Sequence, residues 1–77
     1  MENIAANLAA AMAESSPENK LGIIVTTSGP QPAGFDLKSF DGLDGLYYGQ
    51  LDHTEIKKLA KQSDVKAVEL DMENKIL

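Results

Sequence analysis

The stretch Leu46-Tyr47-Tyr48-Gly49-Gln50-Leu51, Asp52-His53-Thr54-Glu55-Ile56-Lys57-Lys58-Leu59-Ala60, and then Val65 to Met72 (Val-Lys-Ala-Val-Glu-Leu-Asp-Met), reads as strand, helix, strand. Asp52 and Glu55 stand three residues apart at the start of an apolar-periodic segment. That is a capping box: the Asp side chain accepts from the third helical N–H, and the Glu side chain reaches back to the N–H of Asp52. Ile56, Leu59 and Ala60 then share one helical face, while Lys57, Lys58 and Lys61 face water and suit the negative end of the helix. Ser63-Asp64 stops the helix. In the last strand Val68, Leu70 and Met72 point one way, and Ala67, Glu69 and Asp71 the other. Tyr47 and Tyr48 fall on opposite faces of the first strand, and Gly49 suggests a bulge in it.

Upstream, Leu21 to Thr27 is β-branched, nearly continuously apolar and followed by Ser28-Gly29-Pro30, which predicts a central strand. Residues 28–34 are turn-rich. Phe35 to Phe40 alternates weakly as a short strand. Asp41-Gly42 and Asp44-Gly45 are turn dipeptides. Residues 3–15 read as a helix with Ile4, Leu8, Ala11, Met12 and Ser15 on one face, Asn3 as its cap, and Pro17 ending it. The order predicts an α+β two-layer sandwich: an antiparallel three- to four-stranded sheet with two helices on one face. It forms a single domain over 1–77, with a helix and turn in 1–20, the sheet and second helix in 21–72, and a tail in 73–77.

Composition narrows the function classes. The chain has 77 residues, one histidine, no cysteine and 43% hydrophobic residues. A domain this small buries only about 60% of its unfolded surface. Without cysteine there is no disulfide and no thiolate metal site, no spacing around His53 suggests zinc, and a lone histidine at the start of a helix is expected to be solvated. The aspartates 41, 44 and 52 lack the spacing of a calcium loop, and turn chemistry explains them. No phosphate loop and no nucleophile motif is present, so no enzyme, cofactor or metal is expected. A net charge of −5 disfavours nucleic acid and favours a cationic protein surface. No apolar run approaches a membrane span, and the first residues lack the basic region of a secretory signal. The expected compartment is the cytoplasm if the chain is complete, and the exterior if it is an excised domain of a secreted protein.

Residues 42–71 resemble the propeptide domains of subtilisin-like serine proteases, the I9 inhibitor family. The resemblance rests on Leu51, Glu55, Ile56, Leu59, Val65, Val68, Glu69 and Asp71, and on the Ser-Pro-Glu-Asn-Lys-Leu-Gly-Ile-Ile-Val stretch (residues 16–25) that leads into the first strand. It implies a ferredoxin-like variant, strand-helix-strand-strand-helix-strand, that inhibits a subtilisin-like protease or chaperones its folding. Here only residues 28–34 lie where the family has its first helix. A parallel crossover needs about a dozen residues, so either that helix is lost, with the N-terminal helix packing in its place, or the first family strand is absent.

The resemblance also implies a binding surface. Glu69 and Asp71 would meet helix N-termini of the protease from the open sheet face, where free N–H groups and the dipole favour anions. Tyr47 or Tyr48 would anchor the same face. Asn74, Lys75, Ile76 and Leu77 would lie in the substrate groove, with Leu77 in the first specificity pocket. The alternative is a structural or assembly domain that pairs through its open face or an edge strand, by self-association or with another domain. A stable dimer or a partner-dependent fold, indifferent to loss of the tail, would mark that alternative.

Overall fold

The computed structural model describes residues 3–71. The elements are α1 (Ala6–Ala13), β1 (Leu21–Thr27), β2 (Leu37–Phe40), β3 (Leu43–Leu51), α2 (His53–Ala60) and β4 (Val65–Leu70). The strands form one antiparallel sheet in the order β2-β3-β1-β4, with both helices on one side. This is the expected α+β two-layer arrangement.

Strand β1 occupies the bounds read from its apolar run, and it is paired on both edges. Ile23 and Val25 point into the layer between sheet and helices and are fully buried. They meet Leu8 and Met12 of α1, Ile56 and Leu59 of α2, and Val68 and Leu70 of β4 in one core. The capping box is formed: the Asp52 carboxylate accepts from the Glu55 N–H at 2.9 Å, and the Glu55 carboxylate accepts from the Asp52 N–H at 3.0 Å.

The first helix is shorter than read. Its cap is Ala5, with no side-chain hydrogen bond. Asn3 is drawn elsewhere, because residues 3–5 lie alongside β4. Ala5 N–H donates to Val68 C=O, Val68 N–H donates to Asn3 C=O, and the Asn3 side-chain amide donates to Ala60 C=O at the end of α2. A parallel bridge to β4 holds this segment extended, so the helix starts only after it.

β1 and β2 run parallel with β3 between them, and β3 and β4 run parallel with β1 between them. These are two interleaved split units. The second is joined by α2. The first is joined by residues 28–36 with no helix, so all four strands are present and the helix is the missing part. The expectation that so short a segment could not cross is overturned. β2 begins at the level of Ile23, so the strap returns only about 13 Å along the strands and shifts about 10 Å across them. At about 3.3 Å per residue the chain has length to spare. The strap passes on the helix side, where Phe35 packs against the core.

Gly49 makes that passage possible. It is not a bulge: pairing runs through it unbroken, to Ile23 on one side and Leu37 on the other. A Cβ on Gly49 would collide with the backbone carbonyl of Asp36 and press on Leu37 Cδ2. Gly45 also departs from the reading. Asp41-Gly42 makes the β2–β3 turn, but Asp44-Gly45 lies within β3. Gly45 has φ +81°, and a Cβ there would stand 2.9 Å from the Thr27 carbonyl oxygen.

Two outcomes test this packing by urea denaturation. Ile56 is 0% exposed, and Ile56→Ala is expected to cost about 2–5 kcal/mol; a loss near zero would mean that α2 does not bury this face. Gly49→Ala is expected to cost about 1–3 kcal/mol because the new methyl meets backbone that cannot yield without moving the strap. Unchanged stability would remove the strap from the inner face.

Candidate protein-binding face

Alternation along each strand fixes what the uncovered side of the sheet displays. Strand registers place Lys38 beside Tyr48, Tyr48 beside Ile24, and Ile24 beside Glu69, in one row across all four strands. The next row holds Leu46, Thr26 and Ala67. On the other side of that central row lie Gln50, Gly22 and Asp71, where Asp71 N–H donates to Gly22 C=O. The face is therefore apolar at its centre, with an acid on β4 and a base on β2.

The aromatic part is built from two strands. Phe40 and Tyr48 have ring centroids 4.8 Å apart and are tilted by 48°. Tilted pairs of this kind are favoured by the ring quadrupoles. Tyr48 remains 36% exposed, and Leu43 beyond the turn is 50% exposed. A shallow depression of ≈ 720 Å³ runs past this pair, bordered by Lys20, Lys38, Gln50 and Asp71. Small-molecule sites are mostly apolar and enclose their ligand. This one is open and rimmed by charge, which suits a polypeptide surface better.

Of the residues expected to bind a partner, Tyr48, Glu69 and Asp71 share the open face. Glu69 is exposed, and its side chain makes no hydrogen bond or ion pair among the described residues. Asp71 is half-buried and already engaged. Tyr47 turns to the inner side and packs against the core, which removes it from this surface. Asn74, Lys75, Ile76 and Leu77 lie outside the described residues, as does Met72, which the sequence pattern put on the side of Val68 and Leu70.

Ile24, Phe40 and Lys38 were missed as surface residues. The signal for Ile24 was present: if Ile23 and Val25 face in, Ile24 and Thr26 must face out. The continuous apolar run of β1 concealed that choice. His53 was read as solvated, but it is half-buried, and its Nε2 lies 3.0 Å from Ser15 Oγ. With His53 N–H donating to Pro17 C=O, it ties the start of α2 to the chain that follows α1.

Both sheet edges are occupied in part. On β2 the outward Leu37 N–H donates to Phe35 C=O, and Leu37 C=O accepts from Gln31 Nε2 at 2.9 Å. On β4 the segment 3–5 takes Val68. Among the described residues no cluster of three or more histidine, aspartate or glutamate side chains could hold a metal, and no helix is long and apolar enough to cross a membrane. Comparisons with protein-family models, with curated proteins and with solved structures find no match for this chain.

Exposed side chains contribute little to stability. Glu69→Ser is therefore expected to leave the urea midpoint within about 0.5 kcal/mol of the unaltered chain. A larger loss would give Glu69 a structural task and take it off the candidate surface.

Proposed function

We propose that this chain is a protein-binding module that docks through its open sheet face, and that its partner is a subtilisin-like serine protease which it inhibits or helps to fold. The observation that carries the reading is the row Tyr48–Ile24–Glu69: an exposed aromatic and a half-buried aliphatic side chain beside an exposed carboxylate. Such a surface fits a partner that brings apolar side chains against the strand centres and a positive helix end to Glu69. Helix N-termini supply that end through free N–H groups and the dipole.

The resemblance of residues 42–71 to the protease propeptides supports the choice of partner. So does the split arrangement of the four strands, which the resemblance implied. In this reading Asn74 to Leu77 continue from β4 into the substrate groove and pair with groove strands as a cleaved product does. Leu77 fills the first specificity pocket. The chain works by occupying the protease and performs no reaction of its own.

The test is inhibition of a purified subtilisin-like protease by three proteins: the full chain, the chain lacking residues 74–77, and Glu69→Ser. The full chain is expected to inhibit below about 1 μM, the truncated chain at least tenfold more weakly, and Glu69→Ser several-fold more weakly. Rapid digestion of the full chain without inhibition would sink the protease reading.

A further inference from the structure

We infer that the free chain covers its open face with a second copy of itself, in a weak two-fold dimer whose axis runs parallel to the strands. This deepens the reading of that face as the docking surface, and adds a state in which the surface is masked until a tighter partner displaces the copy.

The observation is the order of charge across the central row. From edge to edge it runs Lys38, Tyr48, Ile24, Glu69. Neither the Lys38 nor the Glu69 side chain has a hydrogen-bond or ion-pair partner among the described residues. A closed dimer uses the same patch twice, so the patch must complement itself. An axis along the strands reverses the order of strands from β2→β4 to β4→β2 and leaves each row facing its own copy. Lys38 then stands over Glu69 of the copy, and Tyr48 stands over Ile24 of the copy, each contact occurring twice. An axis across the strands instead stacks Lys38 on Lys38 and Glu69 on Glu69. Only the first arrangement matches opposite charges.

Size and twist make the dimer weak. Four strands at about 4.8 Å and some five residues at about 3.3 Å give a footprint of roughly 300–350 Å² per copy. Two such footprints come to about 600–700 Å², below the roughly 1,200 Å² at which stable specific interfaces begin, so only a weak association is expected. Twisted sheets that stack face to face cross at about 30°, so the centres touch and the corners splay. The central row therefore contributes most of the contact, while Lys20, Asp36 and Asp71 at the Gln50 end of the face stay wet. A net charge of −5 on each copy adds repulsion that salt screens.

The experiment is sedimentation equilibrium of the full chain from about 10 μM to about 1 mM, the range in which an interface this small is half-formed. The unaltered chain is expected to move from monomer mass toward twice that mass. Lys38→Glu alone and Glu69→Lys alone are each expected to stay monomeric, because like charges then face each other twice. An equal mixture of the two variants is expected to regain the dimer, because both cross-copy pairs become Glu–Lys. Circular dichroism of each variant checks that it is folded. In the unaltered chain, concentration-dependent amide shifts at Ile24 and Tyr48 provide a reading that needs no variant. A monomer at ~1 mM with no such shifts, a dimer indifferent to either swap, or a mixture that stays monomeric would overturn the inference. Protease inhibition by the full chain is read below about 1 μM, under the concentrations at which this dimer forms, so failure of one proposal leaves the other standing.

Discussion

Two eight-residue helices and a strap are all the cover this sheet has among the described residues, and all three lie on one side. A chain of 77 residues has length for one layer over a four-stranded sheet. That limit sets the alternation of every strand. Ile23, Val25, Val68 and Leu70 serve the dry side, while Ile24, Thr26, Tyr48 and Glu69 are left on the other. A second layer would have closed the face. Its absence among the described residues leaves this face uncovered, and the proposed docking rests on that.

The strap shows how the cover is stretched. Where a split unit ordinarily carries a helix, residues 28–36 cross β3 as irregular chain. A helix would rest on side chains of β3 about 10 Å above the sheet, whereas bare backbone comes closer. It therefore needs a place without a side chain, and Gly49 is that place. The room beside it is filled by Phe35 and Leu37, which do the core packing a helix would otherwise supply. The N-terminal helix covers the β4 side, held by the bridge of Ile4 to Val68 and by Asn3 on Ala60.

How much of this was legible follows from the range of each interaction. β1 was readable to the residue, because its ends are set by local turn residues. α2 was readable because its capping box is encoded within four residues. Alternation put Glu69 on the open face and one of Tyr47 and Tyr48 beside it, without deciding which. Gly49, Gly45, Asn3 and His53 were misread for a common reason: each answers to a partner far along the chain. Gly45 makes room for Thr27, Asn3 reaches Ala60, and His53 meets Ser15. Local propensity holds no record of such contacts. The length argument against the crossover failed because it assumed a helix where plain chain suffices.

The edges explain why the proposed association falls to the face. A partner that adds a strand needs a row of outward N–H and C=O groups. On β2 the row is four residues long, and Gln31 and Phe35 already satisfy the outward groups of Leu37. That leaves Ser39 as the outward residue of this short strand. On β4 the chain's own residues 3–5 pair at Val68, at the middle of the strand. Strand addition would have to break these contacts first, and an edge so divided offers no continuous ladder in return. The face has no such barrier. Its side chains are already in place on paired strands, so little ordering is needed on binding, and the loss of conformational entropy that burdens flexible surfaces is small. A rigid, charge-patterned face joined to blocked edges therefore directs any partner to one side of the sheet.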